Sequence, residues 1–231
     1  VQQSETISKI IMGSIEATGE AQASMQNVEV KYGKQSIHGV AKNRRSLEET
    51  ADPSLQVVGF YAGTNLLGCL VNFALHATVL GAENLRYSAD YPGYIRKFVV
   101  KLNPGCHTLV LNGAAGNVNI GYSADASALG EKIDFRTFER AEKVGSVIAE
   151  VALKLPLKML PSIGELEGQI SEVQRKIGQF EPDSMDGRQL SIKKVYLECV
   201  SDVIKRFGIQ GERELPIPLQ AFSIGDVVLV A

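Results

Sequence analysis

The sequence predicts an α/β layer fold in which helices flank a mixed β-sheet. Strand-like and helix-like patterns alternate along the chain, a short Gly-Thr-Asn turn joins one pair of strands, and other strands are separated by helical segments. Hairpins make antiparallel pairs and crossovers make parallel pairs, so their combination predicts a mixed sheet. The 231 residues, 45% hydrophobic and 22% charged, can build one large domain or two small ones.

The first half of the chain is predicted to hold two helices and five extended segments. Pro92 falls in the first turn of the second helix, where its missing amide hydrogen costs least. Gly33 is predicted to turn the chain between the first two extended segments. The helices cover 4–24 and 91–102, and the extended segments cover 28–32, 36–40, 56–62, 66–75 and 108–111.

The second half opens with a long predicted helix over 134–155, for which Asp134 is a plausible N-cap. An exposed strand is predicted over 163–176, a helix over 188–207 and a return to strand over 214–231. The predicted buried stripe of the long helix consists of Phe138, Ala141, Val144, Ile148, Val151 and Leu155.

Composition gives no reason to expect a nucleic-acid partner, because the formal net charge is −2 and no basic cluster is present. No apolar run reaches the roughly 20 residues that span a bilayer, and no signal peptide is recognisable. The three cysteines are widely spaced, and Cys69 and Cys106 lie in apolar surroundings. We therefore predict that these two are small core residues.

His76 stands at the end of the apolar run 66–75, next to a polar loop. A strand that delivers an imidazole to such a loop is typical of a metal or acid–base site. The alternative is a core histidine bonded to a backbone carbonyl. Catalytic zinc usually takes three protein ligands and a water. His38 and His107 show no paired spacing with His76, so spacing alone does not give a complete metal site.

A glycine-rich loop over 112–119 follows the next buried strand. Small residues there allow close approach of a ligand to the backbone, and successive amides can bind an anion. The alternative is a tight connection without a ligand. Asn117 and Asn119 can present amides to a substrate or cap turns.

Charged side chains elsewhere suggest further site residues. In the loop Asn43-Arg44-Arg45, an arginine can reach a carboxylate or a developing oxyanion, although adjacent arginines are usually a solvated surface. Glu83 and Asp90 lie in the loop after His76, where carboxylates more often form turns. Asp90 is predicted to orient His76.

Taken in order, these motifs resemble a known family. Asn-Phe-Ala-Leu-His-Ala-Thr (72–78), Ser-Ala-Asp (88–90), Gly-Tyr (93–94) and the loop 112–119 are similar to the core of the neutral/alkaline, non-lysosomal ceramidases. In that family the first block reads close to Asn-Phe-Ala-x-His-Pro-Thr. The segment 43–45 resembles the family's Asn-Arg segment.

The resemblance implies a zinc-dependent amidase that splits ceramide into a sphingoid base and a fatty acid. It makes His76 a zinc ligand and places Arg44 near the substrate. The other ligands would be a histidine upstream of this chain, and a glutamate and a tyrosine downstream of it. The implied substrate-binding residues are Asn43, Gly113, Ala114 and Asn117.

The glycine-rich loop departs from the family pattern. The ceramidases carry Gly-Asp-Val-Ser-Pro-Asn with a catalytic serine, whereas Gly-Asn-Val-Asn-Ile-Gly (116–121) puts Asn119 at the serine position and Asn117 at the aspartate. Asn119 is therefore the second predicted catalytic residue beside Arg44, and the substrate is ceramide or a related N-acyl compound. The alternative is a non-catalytic, ligand-binding or structural member of the same fold.

We expect residues 1–231 to be an internal part of one such α/β domain, because the chain opens inside a helix pattern and stops within an apolar strand. Residues 162–213 are the candidate for an inserted subdomain. One zinc ligand does not hold a catalytic ion, so these residues alone are expected to be inactive. The family's members are often secreted or membrane-associated.

Overall fold

The computed structural model describes residues 2–46, 48, 51–160, 168–176, 214–224 and 227–230. The elements in chain order are α1 (Gln2–Ala23), β1 (Glu29–Ser36), β2 (Lys42–Asn43), β3 (Ser54–Ala62), β4 (Asn65–Phe73), α2 (Asp90–Leu102), β5 (His107–Asn112), β6 (Val118–Asn119), α3 (Ala124–Ala128), α4 (Phe138–Lys154), β7 (Lys158–Met159), β8 (Gly168–Lys176), β9 (Glu214–Ile224) and β10 (Val227–Val230).

A mixed sheet of five strands, in the order β5-β4-β3-β1-β7, carries the core of the described residues. The hairpin β3–β4 and the pair β1–β3 are antiparallel, whereas β4 and β5 are parallel and α2 forms the crossover between them. Gly63 adopts a φ of 60° in the hairpin turn, a conformation that glycine reaches at little cost. The predicted α/β fold with a mixed sheet is confirmed.

Helices α2 and α4 pack closely against each other beside this sheet. A Cβ atom at Gly145 of α4 would lie 2.7 Å from the carbonyl oxygen of Tyr91, so only glycine allows this approach. Ile95 and Val99 of α2 and Ile148 of α4 are fully buried at the contact with the core. The apolar stripes of the two helices therefore close one side of the sheet.

Three sequence predictions for the regular elements are wrong. The extended segment predicted over 36–40 is no separate strand, because β1 runs without a break from Glu29 to Ser36 and ends there. Gly33 lies inside β1 and makes no turn; it is small because a Cβ there would lie 2.7 Å from Leu157 Cδ2. The long helix begins at Phe138, because the Thr137 side chain accepts a hydrogen bond from the Arg140 amide and caps it, while Asp134 stays outside the helix.

The burial of the long helix also differs in part from prediction. Phe138 is 38% exposed, and Gly145, Ala149 and Ala152 join the buried face. Cys69 and Cys106 are buried, free thiols in the core, as predicted.

The last part of the chain forms a separate sheet in the order β10-β9-β8. The strand predicted over 214–231 is thus a pair of antiparallel strands, β9 and β10. Of the strand predicted over 163–176, β8 forms 168–176, and the first five residues lie outside the described part of the chain. The predicted helix over 188–207 lies outside the described residues. Among the helices that are described, none combines the length and the apolar character needed to cross a membrane.

Candidate active site

The site forms where the parallel strands β4 and β5 end side by side. Phe73 and Asn112, the last residues of the two strands, are paired in register, and the amide of Gly113 donates to the carbonyl of Phe73 over 3.2 Å. A Cβ at Gly113 would lie 3.1 Å from Asn72 Oδ1 and 3.2 Å from the Ala74 nitrogen. A glycine at this position therefore lets the glycine-rich loop run directly beside the segment that leads to His76.

Three segments that are far apart in sequence meet at this edge. The short strands β2 and β6 pair antiparallel, with Asn43 opposite Val118. As a result the Arg44 amide donates to the Asn117 carbonyl over 2.8 Å, and Arg44 Nη2 donates to the Gly116 carbonyl over 2.9 Å. The His76 amide donates to the Val118 carbonyl over 3.1 Å. The Asn-Arg loop, the histidine segment and the glycine-rich loop are thus one cluster.

The side chain of His76 is half-buried and makes no hydrogen bond within the part of the chain that the structure describes. A core histidine would use a carbonyl partner, and none of the described residues supplies one. Among the described residues, the two ring nitrogens of His76 therefore have no partner and could take a ligand. The backbone of His76, in contrast, is held by two hydrogen bonds. Its amide donates to the Val118 carbonyl, and its carbonyl accepts from the Thr78 amide over 2.7 Å.

Asp90 holds the loop after His76 rather than the imidazole itself. Its Oδ2 accepts from the Leu80 amide over 2.8 Å and its Oδ1 from the Tyr91 amide over 2.7 Å. Asp90 adopts a φ of 53°, which few residues other than glycine tolerate, and the bond to the adjacent amide helps it to do so. The carboxylate also lies at the start of α2, where amide donors favour negative charge.

Asn119 is fully buried, and both the oxygen and the nitrogen of its carboxamide form hydrogen bonds. Its Oδ1 accepts from the amides of Gly121 (2.7 Å) and Tyr122 (3.2 Å), and its Nδ2 donates to the Tyr122 carbonyl over 2.8 Å. These bonds favour a structural role, in which Asn119 shapes the turn after β6. The catalytic role predicted from the sequence stays a prediction that requires Asn119 to exchange these bonds.

Of the other predicted residues, one is buried and bonded to nearby backbone amides, and two are exposed. Asn43 is buried, and its Oδ1 accepts from the amides of Arg45 and Ser46. Ala114 and Asn117 are exposed, and within the described residues their amides, like that of Gly116, donate no hydrogen bond. The loop thus offers three backbone donors to a ligand.

The metal-ligand set is incomplete in the described residues. No group of three or more histidine, cysteine, aspartate and glutamate side chains there could hold a metal ion. Glu83 is exposed in the loop after His76, and its carboxylate folds back onto Gly81. The described residues therefore form no complete metal site around His76.

Three positioning residues carry no motif that sequence reasoning could recognise. Arg136 Nη2 donates to the carbonyls of Thr78 (3.1 Å) and Leu80 (2.6 Å), and its guanidinium lies 4.6 Å from the centroid of the Tyr122 ring. The Tyr122 hydroxyl donates to Thr78 Oγ1 over 2.7 Å. The third is Tyr91, whose hydroxyl donates to the carbonyl of Leu75, the residue before His76.

The buried hydroxyl of Tyr91 ties α2 to the residue before His76. It donates to the Leu75 carbonyl over 2.7 Å, and burial, helped by the nearby Asp90 carboxylate, raises the pKa of Tyr91 above its ordinary value of 10.0. Unfolding frees this hydroxyl to ionise above about pH 10, so the bond's contribution to stability is present below that pH and is lost as the pH rises further.

Tyr91→Phe is therefore expected to be less stable than the wild type at pH 8 by about 1–2 kcal/mol, because the buried Leu75 carbonyl loses its donor. At pH 11 the difference in unfolding free energy between the two proteins should be smaller by about 1.4 kcal/mol. Urea unfolding of both proteins, followed by circular dichroism at the two pH values, measures it. A gap that is the same at both pH values would show that the Tyr91 pKa is not raised in the folded state.

Comparison with known proteins finds solved structures with a similar fold. No protein family model matches the chain, and no curated protein sequence matches it significantly. Solved structures do match: the neutral ceramidase from Pseudomonas aeruginosa superimposes with a TM-score of 0.65 at 17% identity, over 96% of this chain and 42% of that one. A ceramidase complexed with C2 superimposes with a TM-score of 0.60 at 16% identity, over 91% of this chain and 42% of that one.

The chain thus spans about two fifths of the length of these ceramidases. At such low identity the similarity concerns the fold, and it agrees with the family that the motifs resemble. The chain has a ceramidase-like fold.

Proposed function

We propose that this chain is part of a zinc-dependent amide hydrolase that cleaves an N-acyl bond, in ceramide or a related compound. One observation carries the proposal: the Asn-Arg, histidine and glycine-rich segments converge at the ends of β4 and β5. The carboxyl ends of parallel strands are a common place for a site, because side chains and loop amides from several strands meet there. The ceramidase-like fold raises the expectation that this edge is the site.

His76 would contribute one ligand to the zinc ion, through a ring nitrogen that is free among the described residues. When bound, the ion would polarise the amide carbonyl and lower the pKa of a water molecule. The hydrogen bonds from His76 to Val118 and from Thr78 to His76 fix the backbone from which the imidazole projects. A ligand held in this way needs little reorganisation on metal binding.

Arg44 and the glycine-rich loop would bind the carbonyl oxygen of the substrate as it gains negative charge. Arg44 lines a cavity of about 230 Å³ together with Arg45, Ser123 and Asp125. Its Nε is buried and has no partner within the described residues. Together with the loop amides that are unpaired among the described residues, Arg44 would supply donors of the kind that stabilises an oxyanion.

A non-catalytic, ligand-binding role is the second candidate. It is favoured by the engaged carboxamide of Asn119, which stands at the position of the family's catalytic serine. In this reading the same donors would bind the polar head of an N-acyl compound without cleaving it.

The test is hydrolysis of N-acyl substrates by the purified protein, including any sequence that flanks these residues in its source. We expect release of the acyl group from an N-acyl sphingoid base with a fluorescent acyl chain, loss of this activity with a chelator, and recovery with Zn²⁺. Tight binding of the substrate without release, with or without Zn²⁺, would support the non-catalytic candidate. Hydrolysis that survives chelation would contradict the proposed mechanism. A parallel assay with short, polar N-acyl amides separates lipid from small substrates.

A further inference from the structure

The segment that follows His76 (residues 77–80) is held by an arginine from a distant part of the chain. Arg136 Nη2 donates to the Thr78 carbonyl over 3.1 Å and to the Leu80 carbonyl over 2.6 Å. A hydrogen bond from a charged donor is roughly twice as strong as one between neutral groups. Arg136 therefore fixes the backbone at two points, one just after His76 and one at the end of the segment.

Tyr122 holds the same segment from another loop. Its hydroxyl donates to Thr78 Oγ1 over 2.7 Å, and the centroid of its ring lies 4.6 Å from Arg136 Cζ. A cation over an aromatic face is attracted by the electrons of the ring. Arg136 and Tyr122 thus support each other while both bind the segment 77–80.

Tyr122 is in turn fixed by Asn119. Its amide donates to Asn119 Oδ1 over 3.2 Å, and its carbonyl accepts from Asn119 Nδ2 over 2.8 Å. Both residues are buried. A continuous series of hydrogen bonds therefore runs from Asn119 through Tyr122 to Thr78, and it links the glycine-rich loop to the segment 77–80 by side chains.

The bonds at Thr78 extend to the backbone of His76. The Thr78 amide donates to the His76 carbonyl over 2.7 Å, so the position of Thr78 affects the backbone from which the imidazole projects. The neighbouring residue Val79 is fully buried in the core, which leaves the segment little freedom. The imidazole has no partner among the described residues that would fix it independently. Its direction therefore depends on this backbone.

The half-buried guanidinium of Arg136 is not placed as in an ordinary ion pair. Within the part of the chain that the structure describes, it forms no ion pair with a carboxylate, and its Nε is buried without a hydrogen-bond partner. Withdrawal of a charge from water without a counter-ion costs free energy. Proteins accept such local costs chiefly at functional sites, so the placement favours a role in the candidate site.

We propose that Arg136 is a positioning residue for His76. Its guanidinium holds the carbonyls of Thr78 and Leu80, and Tyr122 holds the guanidinium. Arg136 acts through the backbone of the segment 77–80 and not on the substrate. The kinetic consequence rests on the proposed amide hydrolase function, whereas the position of the imidazole is measured without substrate or metal.

The first measurement is the kinetics of N-acyl hydrolysis by Arg136→Gln, in the protein with any flanking sequence it has. We expect kcat to fall about 10- to 100-fold, the usual effect of removing a residue that orients a metal ligand. KM should change less than about twofold, because no interaction with bound substrate is removed. Arg136→Lys keeps the charge and a donor for one carbonyl, so it should restore part of kcat.

The matched control for Arg136→Gln is Arg140→Gln. Arg140 lies in the first turn of α4 and is also half-buried, but its side chain makes no hydrogen bond to the segment 77–80 among the described residues. This variant removes the same charge and should keep the kcat of the wild type.

The second measurement is the ¹³C-edited NMR spectrum of the histidine rings in the metal-free protein. The 231 residues contain three histidines, and the signal that His76→Ala lacks identifies the His76 ring. We expect this signal to shift or broaden in Arg136→Gln, while the signals of His38 and His107 stay in place. Tyr122→Phe loses the hydrogen bond to Thr78 but keeps the ring, and it should show a smaller change at His76.

Three results would overturn the proposal: an unchanged His76 signal in folded Arg136→Gln, an equal change in Arg140→Gln, or a raised KM at unchanged kcat, which would place Arg136 on the substrate. If the wild type hydrolyses no N-acyl substrate, the proposed function fails, and the ring signals alone decide the role of Arg136. If circular dichroism shows that Arg136→Gln does not fold, Tyr122→Phe takes its place, and an unchanged His76 signal there has the same consequence.

Discussion

Asn119→Ala is expected to lower the free energy of unfolding by about 3 kcal/mol. The substitution removes three hydrogen bonds at a fully buried position and leaves the amides of Gly121 and Tyr122 and the Tyr122 carbonyl without their partner. An unpaired buried polar group costs about 1–3 kcal/mol, and part of that cost is recovered where water reaches the half-buried Gly121.

The matched control lies two residues earlier in the same loop. Asn117 is exposed and its side chain makes no hydrogen bond among the described residues, so Asn117→Ala should change stability by no more than about 0.5 kcal/mol. Urea unfolding of the two variants provides the comparison. If Asn119→Ala were as stable as Asn117→Ala but had lost hydrolysis, Asn119 would act on the substrate and the structural role would be wrong.

His76→Ala is expected to reduce amide hydrolysis at least about 100-fold, because loss of a residue that supports a catalytic metal typically costs 10–100-fold and His76 is proposed to bind the ion directly. Stability should change little, since the imidazole is half-buried and unbonded within the described chain. A large loss of hydrolysis with little change in stability would distinguish a metal ligand from a histidine that only packs in the core.

His107→Ala is the control for His76→Ala. His107 is exposed and begins β5, whereas the candidate site lies beyond the other end of that strand. Its replacement should leave both hydrolysis and stability near the wild-type values. Equal losses of hydrolysis in the two variants would indicate a general effect of removing a histidine and would argue against a special role of His76.

Hydrophobic periodicity was sufficient to predict most of the central sheet and its helices. The strands β3, β4 and β5 and the helices α2 and α4 appear within a few residues of their predicted positions. Periodicity failed where a neighbour in space decides the structure: Gly33 is small because Leu157 crosses over it. The two-residue strands β2 and β6 leave no pattern at all, since two residues define no period.

The segments that meet in the candidate site were each singled out in the sequence, but their arrangement was not predicted. The pairing of β2 with β6 brings Arg44 against the glycine-rich loop, and no local feature of the sequence predicts a contact over that separation. Likewise, Asp90 was predicted to orient His76, yet the carboxylate bonds to Leu80 and Tyr91, which the fold places closer. The residue types suggested which groups could act on a substrate. Backbone contacts between distant segments decide which of these groups lack a hydrogen-bond partner among the described residues.

The zinc content of the purified protein, with any flanking sequence it has, shows whether His76 binds the metal ion. Wild type and His76→Ala are dialysed against the same trace of Zn²⁺ and analysed by inductively coupled plasma mass spectrometry, with His107→Ala as the reference. We expect close to one zinc ion per chain in the wild type and in His107→Ala, and a small fraction of that in His76→Ala. Equal zinc in all three proteins, or none in the wild type, would contradict it.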